Sequence, residues 1–287
     1  MRKISASKNN SENKPSVGSV SGLAKTERPQ ILPNHCKMIP KIIHYSWFSG
    51  DKYPEDIERY ICRWKELLPG YEFVLWDMAR LEKEIDSDFV KEAISQRKWA
   101  FAADYTRLFA INKYGGIWFD TDVELFKNID DLLDCDCFIG KESWVDNDGF
   151  VYLTSHFMGA VKGHQFIKES LDYYNDRHFI VGTNSDGKPI MDQTMISQMQ
   201  SEIALKYGLD RREKSKNKAQ ILTNGVKIYP SYCFCRPLYT SMRKVYAIHR
   251  VAGAWRDKDI NPKSMTDPKK LTFRVIIWRM LHLFGLK

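Results

Sequence analysis

The sequence predicts an α/β protein with a mainly parallel central sheet flanked by helices. Two observations carry this. Between Ile42 and Asp122, short apolar runs alternate with helical periods in the order β-α-β-α-β, the pattern that joins parallel strands. The chain has 287 residues, 43% hydrophobic and 13% aromatic, which is enough apolar material for a sizeable single core and too much for a disordered chain.

The elements follow in order. Residues 1–37 are rich in Ser, Asn, Lys and Gly and read as a disordered basic tail, because few large apolar side chains are present to offset ordering entropy. Ile42-Ile43 starts the first strand, with His44, Tyr45 and Trp47 behind it. A helix is predicted over 54–68, with Pro54 near its first turn, and Pro69-Gly70 is a turn. Tyr71–Trp76 reads as a strand and Asp88–Gln96 as a helix. A long helix starts near Trp99 and stops at Gly115-Gly116, since glycine takes the left-handed conformation that a helix end often needs. Ile117-Trp118-Phe119 is apolar and brief, as a buried strand is.

Downstream, a short helix is expected over 128–133, a strand at Phe138-Ile139, a strand-like or mixed stretch over 151–161 and a helix over 165–174. Residues 184–189 read as a loop, with a helix opening near Met191-Asp192-Gln193. Asn224-Gly225 marks a hairpin within 220–229, and 245–249 is the last strand.

The chemistry concentrates at Asp120-Thr121-Asp122. Carboxylates at the lip of a core are costly unless paired or metal-bound. Residues i and i+2 of a strand point the same way, so Asp120 and Asp122 are expected to converge on one cation, Mn2+ or Mg2+, completed by substrate phosphates. An acidic turn held by water is the bland alternative. One helical turn earlier, Asp104 and Arg107 share a face, as a site pair or as a surface ion pair.

Charge is concentrated at the ends. Residues 1–37 carry seven Lys/Arg against two acids and 256–287 carry eight against three, so of the formal +8 the middle holds a net −2. A nucleic-acid binder is expected to place its positive patch on the folded body, so no nucleic-acid partner is predicted. The tail 257–287 mixes Phe273, Ile276, Ile277, Trp278 and Phe284 with basic residues. It is too short and too charged to span a bilayer and reads either as an interfacial membrane segment or as a helix packed on its own domain. Six cysteines include two C-x-C pairs, Cys135/Cys137 and Cys233/Cys235; they read as reduced thiols, with a four-cysteine metal site the alternative. No apolar signal-peptide core occupies the first thirty residues, so a cytoplasmic setting is expected, with possible contact to the inner face of the membrane through the C-terminal tail.

Four stretches, IPKIIHYSWFSG (39–50), WAFAADYTRLFAINKYGGIWFDTDVELFKNIDDLL (99–133), FMGAVKGHQFI (157–167) and YAIHRVAGAW (246–255), resemble in content and order the DXD-containing glycosyltransferases of the sugar-binding-region type. That family includes initiating α-1,6-mannosyltransferases and bacterial capsular polysaccharide transferases. The resemblance implies a GT-A type nucleotide-sugar-binding fold over 38–256, a divalent metal, a UDP- or GDP-sugar donor, a glycan or lipid-linked acceptor and retention of anomeric configuration. It further implies that Asp120, Asp122 and His249 serve the metal and diphosphate, and that Asp104 and Arg107 hold donor hydroxyls and phosphate. Trp118 would pack by the donor, Trp47 would stack near the base, and Trp255 would close over the diphosphate. Asp192, with Gln193, is a candidate contact to the reacting centre or the acceptor, or else a plain helix cap. The family often has Ser where Gly253 stands, and often Asn in the piece where Ser155-His156 is found. Two rival classes are a non-catalytic nucleotide-sugar-binding or membrane-associated interaction module, and a hydrolytic metalloenzyme. The latter is disfavoured because no dense His/Asp cluster is visible.

Overall fold

The computed structural model describes residues 38–235 and 241–250. The N-terminal tail, Trp255 and the C-terminal tail lie outside the described residues. The first half runs β1 (Ile42–Ser46), α1 (Glu55–Leu67), β2 (Glu72–Trp76), α2 (Met78–Glu84), α3 (Asp88–Ser95), α4 (Trp99–Tyr114), β3 (Gly116–Phe119) and β4 (Val123–Leu125). The second half runs β5 (Cys137–Lys141), β6 (Leu153–Ala160), α5 (Gln165–Asp172), β7 (Ile180–Thr183), β8 (Pro189–Met191), α6 (Ile196–Leu205), β9 (Gln220–Ile221), β10 (Lys227–Tyr229), α7 (Ser231–Phe234) and β11 (Ala247–His249).

The central sheet has seven strands in the order β2-β1-β3-β6-β5-β10-β9. The pairs β1–β2, β1–β3 and β5–β10 are parallel, while β6 runs against β3 and β5, and β9 against β10. Five strands therefore point one way, which is the mainly parallel α/β sheet that the alternating pattern predicts. A separate ladder pairs β4 with β11, and β7 with β8 forms a two-stranded ribbon.

Period-2 alternation sorts the core onto two sides of this sheet. Ile117 and Phe119 pack with Ile43, Tyr45, Trp64, Phe157 and Phe234. Trp118 points the other way, with Trp76, Leu108, Met158, Phe166 and Ile203. Every residue of β6 is buried, as suits a strand in the middle of the sheet. Helix α4 also buries Thr106 and Arg107 along with its apolar positions, because α3, α5 and the sheet all pack around it.

The Gly-Gly stop behaves as expected. Gly115 caps α4 at φ +71°, its N–H bonding to Ile111 O at 2.8 Å. Gly116 sits at φ +105°, where a Cβ would stand 2.6 Å from the Ile42 carbonyl oxygen. His44 locks this corner. Its Nε2–H donates to Gly115 O at 2.9 Å, and Trp76 Nε1–H donates to its Nδ1 at 3.3 Å. Burial, opposed by the Gly115 carbonyl, lowers the His44 pKa from 6.5 to about 4.

Several expectations need correction. Asp192 does not open a helix. It follows β8, and α6 begins at Ile196. The stretch read as a loop over 184–189 is the turn of the β7–β8 ribbon and the start of β8, whose exposed Val181 and Ile190 leave no burial pattern in the sequence. The short helix over 128–133 is a single 3-10 turn at Asp130–Leu132. Helix α2 and strand β4 were not anticipated. Cys135, Cys137, Cys233 and Cys235 are buried thiols outside any disulfide among the described residues, and the four do not assemble there as one metal site. No helix among the described residues is long and apolar enough to cross a membrane.

Candidate active site

The acid pair does not lie on β3. The strand ends at Phe119, and Asp120–Asp122 form a turn closed by Val123 N–H to Asp120 O at 3.0 Å. The turn still brings the carboxylates together, and a third ligand arrives from far along the chain. The β4–β11 ladder sets His249 opposite Val123, and Arg250 N–H bonds to Asp122 O at 3.0 Å. His249 Nε2 lies 3.1 Å from Asp122 Oδ1. Ligand atoms of Asp120, Asp122 and His249 all fall within 4.8 Å of one another.

Asp120 is held from below. Arg107 NH2 donates to Asp120 Oδ1 at 3.0 Å and lies 3.0 Å from Asp104 Oδ1. Its NH1 donates to Ser155 Oγ in a short bond. Trp118 Nε1–H donates to the same Asp120 oxygen at 2.7 Å. The Asp104–Arg107 pair is thus no surface bridge. The arginine side chain is 5% exposed and the aspartate 14%. Burial pushes the Asp104 carboxyl up to about 7, with the Arg107 charge opposing and the Asp120 charge adding to the rise. For His249, burial acts downward. The hydrogen bond to Asp122 and the charges of Asp122, Asp120 and Glu142 outweigh it and hold the imidazole above its ordinary value.

The aromatic candidates are placed differently from one another. Trp118 is fully buried, so it reaches the site through its N–H and has no open face for a donor. Trp47 is half-buried just beyond β1. Its ring stands 4.9 Å from Tyr53, and its indole N–H donates to Asp51 O at 2.7 Å. His44 and Trp118 are register partners in the parallel β1–β3 pair, so Trp47 and Asp120 leave the sheet at the same edge. Asp192 accepts from the Thr194 N–H at 3.0 Å and from its hydroxyl at 2.7 Å, and pairs with Arg177. Trp255 lies outside the described residues.

Four further residues stand at this site without a signal in the spacing of the sequence. Ser155 anchors Arg107 across 48 positions. His156 stacks on His249 with ring centroids 4.1 Å apart, and its Nε2–H donates to Phe234 O at 3.0 Å while Thr154 Oγ1 meets its Nδ1. Burial, joined by the His249 charge, lowers its pKa and keeps the ring neutral. Glu142 and Cys235 complete a second group with His156, again with ligand atoms within 4.8 Å. Both nitrogens of His156 are engaged, and burial pushes the Cys235 thiol and the Glu142 carboxyl up. This group is therefore a packed polar wall behind His249.

Comparison with known proteins agrees with this picture. Residues 54–139 match the family described as glycosyltransferase sugar-binding region containing DXD motif. The chain is 31% identical over 144 residues to inositol phosphoceramide mannosyltransferase 3 of Schizosaccharomyces pombe, over 48% of this chain and 38% of that protein. It is 30% identical over 161 residues to mannosyl phosphorylinositol ceramide synthase SUR1 of Saccharomyces cerevisiae, over 52% and 38%. These matches span well under half the length of those relatives. Among solved structures it is similar to PaToxG glycosyltransferase (TM-score 0.38, 16% identity, 48% of this chain and 61% of that one). It is also similar to a glycosyltransferase involved in the glycosylation of the major capsid of PBCV-1 (TM-score 0.36, 12% identity, 72% and 92%). The matched family segment holds Asp104, Arg107, Asp120 and Asp122, so the resemblance read from the sequence holds as a match of residues 54–139 to the glycosyltransferase sugar-binding region containing the DXD motif.

Proposed function

We propose that this glycosyltransferase is metal-dependent and retaining, and moves a sugar from a UDP- or GDP-sugar to a glycan or lipid-linked acceptor, in the building of a surface or capsular glycan. The observation that carries the reading is the convergence of Asp120, Asp122 and His249 within 4.8 Å, braced through Arg107 and Trp118. Two carboxylates and one imidazole suit Mn2+ well and Mg2+ less well, since Mg2+ prefers an all-oxygen shell. These three residues would hold the ion, which supplies neutralisation of charge on a diphosphate leaving group.

The chain's own residues do the rest. Arg107 and the Trp118 N–H fix one Asp120 oxygen, so the carboxylate is oriented before any ligand arrives. Asp104, beside Arg107 and partly open, is placed to accept a hydrogen bond from a donor sugar hydroxyl. His249 must be neutral to ligate a cation, and Asp122 is already bonded to it. Mannosyl transfer to inositol phosphoceramide, in the names of the relatives, favours a mannosyl donor and a lipid-linked acceptor.

The test is a thermal-shift screen of UDP- and GDP-sugars with Mn2+, followed by donor hydrolysis. A ligand at 100 times its dissociation constant stabilises by about 2.7 kcal/mol. Asp122→Ala is expected to remove the Mn2+-dependent shift and to abolish hydrolysis. Unchanged turnover in that variant refutes the metal role. Normal metal and nucleotide binding with no donor consumed by any acceptor favours the non-catalytic binding module instead.

A further inference from the structure

Strand β6 loses step with β5 where it passes the acid turn. The register pairs Met158 with Ile139 and then Thr154 with Gly140, so Ser155, His156 and Phe157 have no register partner on β5. Phe157 still pairs with Phe119 of β3. Bulges and similar irregularities gather beside functional sites, where they re-aim side chains. This one touches each part of the candidate site. Ser155 Oγ accepts from Arg107, the His156 carbonyl accepts the Asp120 N–H at 2.9 Å, and the His156 ring lies over that of His249.

The His156 ring is anchored at both edges. Its Nε2–H donates to Phe234 O at 3.0 Å, its Nδ1 meets Thr154 Oγ1, and the residue is 2% exposed. With both nitrogens engaged, it has none free for a cation. What it presents to His249 is a flat, fixed face, 4.1 Å away between centroids and 24° from parallel.

The His249 side chain depends on such a face. The three-residue β4–β11 ladder fixes its backbone opposite Val123. The ladder does not fix the plane of the ring, because an imidazole turns broadly about its last side-chain torsion. A ring that lies on His156 keeps only planes close to that of His156. In the plane observed, His249 Nε2 stands 3.1 Å from Asp122 Oδ1.

We propose that His156 is a positioning residue that sets the plane of His249 and so aims its Nε2, with the Asp120 and Asp122 carboxylates, at one cation. The proposal rests on the metal-dependent reading given above. The experiment is titration of the full chain with Mn2+ by calorimetry, with nitrogen coupling to the bound ion read by electron spin-echo spectroscopy. The unmodified chain is expected to bind Mn2+ and to show a nitrogen coupling that His249→Ala removes. His156→Phe and His156→Leu both lose the bonds to Thr154 and Phe234, and both bury an apolar side chain, so the flat ring is what separates them. The Phe variant is expected to keep the coupling and most of the affinity. The Leu variant is expected to bind Mn2+ about 10–100-fold more weakly and to lose the coupling. His156→Gln, which can hydrogen-bond but has no ring, is expected to follow the Leu variant, and it decides the question if the Leu variant does not fold. Equal affinity and equal coupling in the variants with and without a ring overturn the proposal and leave the metal reading intact. Absence of Mn2+ binding to the unmodified chain overturns the metal reading, and the proposal with it.

Discussion

His44 makes the corner beneath the acid turn sensitive to acid. In the folded chain its Nε2–H meets the Gly115 carbonyl and its Nδ1 receives the Trp76 N–H, so only the neutral Nε2–H tautomer satisfies both neighbours. A proton on Nδ1 would face another donor in a site where the side chain is 1% exposed. The folded pKa of about 4 lies below the 6.5 of the unfolded chain, so between these values the unfolded chain binds more protons. Stability is therefore present above pH 6.5 and is lost as pH falls toward 4. The whole effect is roughly 3 kcal/mol, of which about 2 kcal/mol is lost between pH 7.5 and pH 5. Urea unfolding followed by tryptophan fluorescence at those two pH values measures it. His44→Gln is expected to be less stable at pH 7.5, since the clamp on Gly115 is weakened, but to lose about 2 kcal/mol less than the unmodified chain on going to pH 5. Equal losses in the two proteins would show that His44 does not titrate as this geometry requires.

Three further perturbations test the support around the acids. Gly116→Ala must place a Cβ 2.6 Å from Ile42 O at φ +105°, whereas Gly50→Ala at φ +71° meets nothing within 4 Å. The second is expected to cost about 1–2 kcal/mol from the left-handed backbone alone and the first clearly more, so equal midpoints in urea would refute the close-approach argument. Arg107→Met strands Asp104 and Asp120 without their cation and is expected to cost about 3–5 kcal/mol, read as a fall in the urea midpoint; a loss under 1 kcal/mol would mean the pair is solvated. Trp118→Phe keeps the buried ring but removes the N–H to Asp120, and Mn2+ affinity by calorimetry is expected to fall about 10–100-fold, an unchanged value counting against Trp118 as a positioning residue.

What was legible in the sequence was what short-range physics decides. The run Trp99–Tyr114, the Gly115-Gly116 stop and the alternation Ile117-Trp118-Phe119 are each local choices, and each is found in the fold. The β7–β8 ribbon was not legible because its Val181 and Ile190 face solvent, so burial writes no pattern there. Asp192 misled because its carboxylate caps Thr194 as a helix-starting aspartate would, yet the chain turns once more before α6 begins. Within the site the division is the same. Asp104 and Arg107 are one turn apart and could be paired on paper, but Arg107 needs Ser155, brought in by β6 across 48 positions, to fix its second branch. His249 illustrates the point most fully. No spacing rule connects it to Asp122, 127 positions earlier, and only family resemblance suggested it. The physical cause is the β4–β11 ladder, whose register pairs His249 with Val123 and so delivers an imidazole beside the acid turn. Three ligands thus depend on two independent constraints, the Asp120–Asp122 turn out of β3, closed by Val123 N–H to Asp120 O, and a three-residue ladder. A change that slips that ladder by one residue would reverse the side that His249 faces and dismantle the group while leaving Asp120 and Asp122 in place.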